Sequence, residues 1–258
     1  MPSTADASTG PTAARYEGCT AEELATRMGV PRVVLFDEVG STLDVAHALA
    51  AGGAPAGTLV VANAQTSGRG RLGRSWRSEA GAGVWLTLIE RPRDVAALDV
   101  LSLRIGLALA PAIDAFAAAP VRLKWPNDLY VGGGKLGGVL VEVRWRDGAP
   151  EWAAIGVGVN MRPPEEETRA AGLEPGVSRA DVLCRMVPPM RAAAARTGPL
   201  DRSELEAFAA RDAVAGRRCR EPVAGVIKGI DPSGALAVDV GSHIAIIRAG
   251  SLVLEEEL

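Results

Sequence analysis

The sequence predicts an α/β protein in which a β-sheet packs against several helices, with a small β-barrel appended at the C-terminus. Two observations predict this class. Between residues 31 and 212, short β-branched runs alternate with longer segments of helical pattern. From residue 213 onward, short β-patterned runs are separated by turn residues, which is typical of a small barrel. We therefore expect domains at 31–212 and 213–258.

A lead-in of about 30 residues precedes the first core strand. Residues 1–14 are small and polar, and we expect them to be disordered. Residues 20–29 have the pattern of one helix followed by a turn, as in the first half of a helix-turn-helix. A strand pattern at 33–36 follows, where a DNA-binding unit needs its recognition helix. We predict a single helix in domain 1–30 and no sequence-specific DNA binding.

The remaining elements follow in chain order. A strand at 33–37 leads to Ser41 and Thr42, which are suited to cap a helix at 43–51. A long apolar helix at 98–118 should be buried and bent at Pro111. The other predicted strands are 58–63, 84–89, 121–124, 128–131, 136–143 and 152–160, the other helices are 178–197 and 203–211, and the C-terminal β-runs are 223–230, 235–240, 243–248 and 252–254.

Composition favours a cytoplasmic globular protein. The 258 residues are 48% hydrophobic with a formal net charge of −3, whereas a large nucleic-acid surface usually appears as a basic domain. No apolar run approaches the roughly 18 residues of a membrane helix. Cys19, Cys184 and Cys219 are widely separated and indicate reduced thiols rather than a disulfide or zinc framework.

Residues 65–76 are the most informative segment and read QTSGRGRLGRSW. They match the dinucleotide fingerprint G-x-G-x-x-G, but no helical pattern follows, so we do not predict that fold. Glycines allow the backbone to approach a ligand, and arginines bind phosphate and carboxylate groups through forked donors. We therefore predict a loop, called here the Arg/Gly loop, that wraps an anionic small molecule.

Three further clusters carry chemistry. Residues 124–128 read KWPND, in which a carboxylate near a lysine suits a metal–phosphate site, although an ordinary turn remains equally open. Residues 132–138 read GGGKLGG; the spacing is not that of a P-loop, and the alternative is a hairpin turn with a solvent-facing Lys135. Residues 156–160 read GVGVN, which favours either close packing or contact with a flat ring.

These clusters supply cations, glycines and one acid but no nucleophile. That combination favours catalysis by positioning and charge neutralisation, for example nucleotidyl transfer to a carboxylate. In order and spacing, the four motifs resemble those of biotin–protein ligases, also called biotin–[acetyl-CoA-carboxylase] ligases, from about residue 33 to the C-terminus. The resemblance implies a mixed sheet flanked by helices, followed by an SH3-like barrel.

The resemblance also implies an activity in two steps. Biotin and ATP, with Mg²⁺, give biotinyl-5′-adenylate and pyrophosphate. A lysine on the biotin carboxyl carrier domain of a carboxylase then displaces AMP. We expect the protein to be a monomer or a weak homodimer.

Site residues follow from the same resemblance. We expect the catalytic residues to be Lys135, Arg69, Arg71 and Asp128, with Asp128 also a Mg²⁺ ligand. The expected biotin-binding residues are Ser41, Thr42, Gln65, Gly68, Arg69, Gly70, Arg71, Lys135 and Gly138. The expected ATP-binding residues are Arg71, Arg74, Trp76, Lys124, Asn127, Lys135 and Asn160.

One position departs from the family pattern. Leu43 stands where the family often has an asparagine after Ser-Thr, so one polar contact to biotin is in doubt. The nearest rival function is that of a lipoate–protein ligase, which shares the catalytic fold but lacks the Arg/Gly loop in this form. The motifs alone leave a nonenzymatic vitamin- or adenylate-binding module open, whereas a transcriptional regulator would need the recognition helix that the sequence lacks. The role of the C-terminal barrel is left open.

Overall fold

The computed structural model describes residues 12–164 and 166–256, and its two β-sheets and six helices confirm the predicted fold class. The large sheet has the strand order β1-β2-β3-β7-β6-β5-β4, with β1 and β2 parallel and the other neighbours antiparallel. It is therefore the mixed sheet expected. Its strands are β1 (Arg32–Val39), β2 (Thr58–Gln65), β3 (Gly83–Glu90), β4 (Arg122–Lys124), β5 (Asp128–Val131), β6 (Gly134–Arg146) and β7 (Ala149–Asn160).

Helices cover both faces of this sheet. Adjacent residues of β1 and β2 face opposite ways, so Leu35 joins the larger core and Phe36 the smaller one. Helices α4 and α5 contribute to the larger core, and α2 covers the other face. The helices are α1 (Ala21–Met28), α2 (Thr42–Ala51), α3 (Val95–Asp99), α4 (Leu101–Ile113), α5 (Arg179–Ala194) and α6 (Arg202–Arg211).

Helix α2 begins where the sequence predicted a cap. The Ser41 hydroxyl accepts a hydrogen bond from the backbone N–H of Leu43 (3.3 Å), which satisfies one of the free donors in the first turn. Since Ser41 and Thr42 directly follow β1, this cap places both side chains at one end of the large sheet.

The prediction of one long helix at 98–118 is wrong, because the structure has three shorter helical segments there. Asp94 caps the short α3, the chain breaks at Val100, and α4 then ends at Ile113 before a one-turn 3-10 helix at Asp114–Phe116. Pro111 lies inside α4 without ending it. The predicted burial of the segment is confirmed, and it includes Arg104, whose guanidinium pairs with Glu204 of α6 at 2.7 Å.

The C-terminal residues form a second sheet of five antiparallel strands, in the order β11-β10-β9-β8-β12. Strand β8 was not predicted, because the polar sequence RCRE lacks an alternating apolar pattern. Within the described residues no pairing joins β11 to β12, so the sheet is open rather than a closed barrel. The strands are β8 (Arg218–Glu221), β9 (Gly225–Ile230), β10 (Leu236–Asp239), β11 (Ile244–Ile247) and β12 (Val253–Leu254).

The second sheet packs against the first domain. The indole N–H of Trp125 donates to the carbonyl of Gly234 at 2.9 Å, and the backbone N–H of Leu200 donates to the carbonyl of Pro232 at 2.8 Å. Apolar residues of both domains belong to one continuous core. The C-terminal sheet is therefore held close to the KWPND motif.

At the N-terminus, the backbone N–H of Ala13 donates to the carbonyl of Leu35 at 2.9 Å, so residues 12–13 run beside β1. The disorder predicted for 1–14 is thus wrong for these two residues, and residues 1–11 lie outside the described part. Helix α1 has a capping box of Thr20 and Glu23 and is followed directly by β1. None of the helices among the described residues has the length and apolarity needed to cross a membrane.

Candidate active site

A cleft of about 370 Å³ opens at the end of the large sheet where α2 begins. Its walls come from the start of α2, the Arg/Gly loop, the β4–β5–β6 region, the glycines of β7 and a segment of the C-terminal domain. The predicted site residues that line it are Ser41, Thr42, Gln65, Arg69, Gly70, Arg71, Arg74, Trp76, Lys124, Asn127, Asp128, Lys135 and Gly138. The four motifs, which extend over residues 65–160, therefore meet in one place.

One corner of the cleft is a fixed hydrogen-bond network. The side-chain oxygen of Gln65 accepts from both the backbone N–H (2.8 Å) and the hydroxyl (3.1 Å) of Thr42. The Gln65 amide nitrogen donates to Ser78 at 2.7 Å, and the hydroxyl of Thr87 donates to that of Thr42 at 2.8 Å. These contacts fix the orientation of the amide and the hydroxyls, which suits recognition of a small polar ring.

The Arg/Gly loop is folded back on itself. The backbone N–H of Gly70 donates to the carbonyl of Arg74 (2.7 Å), and that of Trp76 donates to the carbonyl of Gly68 (2.8 Å). A Cβ atom at Gly68 would lie 2.4 Å from the carbonyl oxygen of Trp76, so only glycine fits there. Gly68 itself does not line the cleft; its contribution is the close packing of the loop.

Two arginines of the loop have different surroundings. Arg69 donates to the carboxylates of Asp44 and Glu142. Burial alone lowers the pKa of Arg69, but these two carboxylates raise it above the ordinary value. Arg71 is half-buried, and its guanidinium lies 3.4 Å from the side-chain oxygen of Asn127. Burial lowers the pKa of Arg71, so a bound anion would stabilise its charge.

Lys135 extends from the start of β6 into the cleft. Its ammonium group lies 2.8 Å from a carboxylate oxygen of Asp128 and 5.3 Å from the centre of the Trp76 ring. The side chains of Lys135 and Asp128 are 34% and 19% exposed, so both can meet a ligand. The sequence has only three lysines, and Lys124, which also lines the cleft, places its ammonium 5.5 Å from the Tyr130 ring.

Trp76 packs closely against the backbone of Gly158 on β7. A Cβ atom there would be 2.6 Å from the indole nitrogen, so the glycine makes room for the ring. The indole N–H has no hydrogen-bond partner, and the ring packs edge-on against Trp85 with centroids 6.4 Å apart. The close-packing interpretation of the GVGVN motif is therefore confirmed at Gly158, and contact with the flat ring of a ligand stays a prediction.

The number of carboxylates in the cleft limits how it could bind a metal ion. No group of three or more histidines, cysteines or acids with metal-binding geometry occurs within residues 12–164 and 166–256. Asp128 and Glu167 are the two acids in the cleft lining. Mg²⁺ commonly takes only one or two protein carboxylates and completes its shell with water and substrate phosphates. The residues present fit a metal that arrives with a nucleotide rather than one held by the protein alone.

Asn160, an expected nucleotide contact, is not among the residues that line the cleft. Its side chain is buried, and its amide nitrogen donates to the carbonyls of Lys135 (3.4 Å) and Ala171 (3.2 Å). The amide therefore ties the start of β6, which carries Lys135, to the segment after β7. Its effect on a ligand would pass through the position of Lys135.

Several cleft residues were not predicted. The segment 250–253 of the C-terminal domain forms one wall, and Arg74 contacts the hydroxyl of Ser251 at 3.2 Å. No local motif marks this segment. Leu43, Tyr130 and Glu167 also line the cleft.

Comparison with known proteins places these features in a family. The model of the biotin/lipoate A/B protein ligase family matches residues 39–160. The chain is 33% identical over 234 residues to the biotin–[acetyl-CoA-carboxylase] ligase of Mycobacterium tuberculosis, covering 84% of this chain and 86% of that protein.

Two further relatives extend the comparison. The chain is 37% identical over 145 residues to the bifunctional ligase/repressor BirA of Bacillus spizizenii, covering 56% of this chain but 45% of that protein. It therefore spans less than half of that relative. The structure of biotin protein ligase from Aquifex aeolicus in complex with biotin and ATP superposes with a TM-score of 0.72 at 24% identity, covering 87% of this chain and 99% of that one. This likeness shows a shared fold.

Proposed function

We propose that this chain, which belongs to the biotin/lipoate A/B protein ligase family and within it to the biotin–protein ligases, attaches biotin to a carrier protein at the expense of ATP. Biotin and ATP would give biotinyl-5′-adenylate and pyrophosphate. A lysine of a biotin carboxyl carrier domain, as in acetyl-CoA carboxylase, would then take the biotin. The reaction forms an amide bond and converts ATP to AMP and pyrophosphate.

The observation that carries the proposal is the position of Lys135. Its ammonium group faces the cleft between Asp128 and the Trp76 ring, with the half-buried Arg71 on the loop beside it. In the first step, an oxygen of the biotin carboxylate attacks the α-phosphorus of ATP, and the bond to pyrophosphate breaks. Two anions must approach each other for this attack. A fixed cation between them lowers the barrier by neutralising charge without reorganising.

The polar corner of the cleft supports the choice of biotin. Thr42 and Gln65 present fixed hydrogen-bonding groups in a cleft that is also lined by cations, which suits an uncharged polar ring joined to a carboxylate. Lipoate carries a carboxylate, but its dithiolane ring lacks strong hydrogen-bonding groups, so it would gain no hydrogen bond from the polar groups of this corner. Leu43 forms the apolar wall beside it.

In the second step, the amine of the carrier lysine attacks the carbonyl carbon of the adenylate, and the bond to AMP breaks. The mixed anhydride hydrolyses if water reaches it, so the Arg/Gly loop has to shield it until the carrier arrives. Arg71, which lines the cleft, would hold the phosphate of the intermediate. The exposed fraction of Lys135 leaves room for the incoming amine.

Mg²⁺ bound to the ATP phosphates would supply further charge neutralisation. Asp128 is the candidate ligand, since it lies in the cleft lining beside Lys135. Asn127 offers an adjacent amide oxygen. The monomeric or weakly dimeric state, the cytoplasmic location and the lack of specific DNA binding stay predictions.

The deciding experiment measures Mg²⁺- and ATP-dependent pyrophosphate release with biotin and, separately, with lipoate. Each reaction is run with and without a biotin carboxyl carrier domain, whose mass is then determined. We expect release with biotin and a carrier mass increase equal to one biotin less one water, lost when its target lysine is replaced by arginine. Release with lipoate alone would move the chain to the lipoate ligases, and biotin binding without release would indicate a binding module.

Lys135→Ala tests the central residue. Loss of one such charged contact in a transition state costs about 3–4 kcal/mol, or ~10²–10³ in rate. The matched control is Lys228→Ala, which removes a lysine paired with Asp239 in the C-terminal sheet, outside the cleft. If Lys135→Ala releases pyrophosphate at the rate of the Lys228→Ala control, Lys135 does not have the role proposed.

A further inference from the structure

We propose that Glu142 is a positioning residue that holds the Arg/Gly loop closed through Arg69, leaving Arg71 as the loop cation that meets the ligand. The part of the proposal that concerns adenylate retention rests on the proposed function, and the part that concerns loop closure does not. Glu142 lies in the middle of β6 and is not one of the residues that line the cleft.

The guanidinium of Arg69 contacts two carboxylates of the protein. One terminal nitrogen of its guanidinium donates to Asp44 on α2, and the other lies 3.1 and 3.3 Å from the two carboxylate oxygens of Glu142. Both terminal nitrogens of the guanidinium are therefore paired with protein carboxylates before any ligand binds. A guanidinium held in this way anchors the loop to α2 and β6, and its charge is already compensated.

The carboxylate of Glu142 is itself held in position by His47. Its Oε2 lies 2.9 Å from Nε2 of His47, and Nδ1 of His47 lies 2.9 Å from the indole nitrogen of Trp152. Because the indole can only donate, Nδ1 of His47 accepts, and the ring proton sits on Nε2 and points at Glu142. The buried Trp152 thus orients His47, and His47 orients Glu142. The carboxylate of Glu142 in turn accepts hydrogen bonds from Arg69.

The two carboxylates on Arg69 are not equivalent. The side chain of Asp44 is 49% exposed and contacts the outer end of the fork, whereas that of Glu142 is 34% exposed and is fixed by His47 as well. Water competes more effectively at the more exposed pair, and a freely moving carboxylate loses more entropy on pairing. We therefore assign most of the loop-holding free energy to Glu142.

Closure through Arg69 has a consequence for Arg71. Arg71 follows two residues later at the start of a one-turn helix, and its guanidinium lies over the cleft near Asn127. If the anchor were lost, Arg71 would sample open positions, and the adenylate would dissociate faster. The cation that contacts the intermediate would therefore be positioned by a carboxylate outside the cleft.

The loop provides its own probe, because Arg69, Arg71, Arg74 and Arg77 are trypsin sites. Cleavage requires local opening of the loop, so the rate in the absence of ligand reports the closed fraction. Removal of one charged hydrogen bond predicts about tenfold faster loop cleavage for Glu142→Gln, and at most about twofold for Asp44→Asn. The control Glu151→Gln, which removes a β7 carboxylate paired with Arg146, should cleave at the wild-type rate.

The second measurement follows the adenylate. With biotin and ATP but no carrier, we expect preformed adenylate to dissociate about tenfold faster from Glu142→Gln than from wild type. Arg69→Gln should have at least this effect, because it also breaks the contact with Asp44, and the double variant should be no worse than Arg69→Gln alone, because Glu142 acts through Arg69. Arg69→Gln changes only the loop side of this anchor, so it also serves if Glu142→Gln fails to fold.

Two results would overturn the proposal. One is a Glu142→Gln loop that trypsin cleaves no faster than the Glu151→Gln loop. The other is an effect of Glu142→Gln on adenylate dissociation that persists undiminished in the Arg69→Gln background. If the wild-type protein makes no adenylate, the proposed function fails while the protease comparison still decides the anchor.

Discussion

Gly158→Ala tests whether the position of Trp76 controls the chemistry of the cleft. The added Cβ would lie 2.6 Å from the indole nitrogen and 2.8 Å from Cε2 of Trp76. Ordinary contact begins at about 3.4 Å, so the nearest indole atom has to move by about 0.8 Å. Strand β7 is paired on both sides, by β3 and β6, so the indole rather than the strand should yield.

Displacement of the indole would change the surroundings of the Lys135 ammonium group. The lysine ammonium lies 5.3 Å from the Trp76 ring, on the side where the anions should meet. A misplacement of about 1 Å at a reacting group costs up to ~10² in rate, so we expect kcat/KM for adenylate formation to fall by about 10- to 100-fold. Overpacking by one methyl group should cost about 1–3 kcal/mol of unfolding free energy, which leaves the protein folded.

The assay is biotin-dependent exchange of pyrophosphate into ATP, with thermal unfolding measured in parallel. Gly52→Ala is the control, because its Cβ would meet only backbone oxygens of α2 at 3.4 and 3.5 Å. Trp76→Phe removes the indole nitrogen and the atoms nearest the added methyl group. Gly158→Ala should therefore have little additional effect in the Trp76→Phe background. Wild-type exchange by Gly158→Ala, at normal folded content, would refute the argument.

Three other changes have expected outcomes. Arg71→Gln should let the adenylate dissociate at least ~10-fold faster, measured in a chase without carrier, because a charge-assisted contact to phosphate is lost. Thr87→Val removes the donor that orients Thr42 and should raise the KM for biotin about fivefold while kcat is unchanged. Glu204→Gln leaves the buried Arg104 without its carboxylate partner and should cost about 3–5 kcal/mol in denaturant unfolding at pH 7.

The stability deficit of Glu204→Gln should depend on pH. Burial raises the pKa of Glu204, but the hydrogen bonds from Arg104 and from the backbone of Asp201, together with the charges of Arg104 and Arg196, outweigh it and hold the pKa below the ordinary value of 4.5. A carboxyl with a lowered pKa in the folded state stabilises the protein above its unfolded-state pKa, and this contribution is lost as the pH falls through the folded-state value. The difference between wild type and Glu204→Gln should therefore shrink below about pH 4.5, and a difference that stays constant to pH 3 would contradict it.

The sequence predicted those features that depend on neighbouring residues. The cap at Ser41, the folded Arg/Gly loop and the exposure of Lys135 at the mouth of β6 all follow from residues within a few positions of each other. Local patterns also located most strands to within two or three residues. They failed at Val100, where a continuous apolar pattern hid the break between α3 and α4.

Tertiary contacts account for what the sequence could not indicate. Asn160 ends an apolar strand, as a ligand-binding amide would, yet its side chain is used by two backbone carbonyls. Arg69 was predicted to contact ligand because its neighbours form a ligand loop. It lines the cleft, and the protein partners that it has there lie 25 and 73 residues away in sequence, where no local pattern identifies them.

The partners of the loop arginines explain why the arginines are spaced as they are. Arg69 binds Asp44 and Glu142 of the first domain, and Arg74 reaches Ser251 of the C-terminal domain. Arg71 lies between these two attachments and faces the cleft. The three arginines within these six residues therefore have different partners, although all three line the cleft. A loop fixed at both ends holds its middle cation in place at a small entropic cost, which explains why one short segment needs several arginines rather than one.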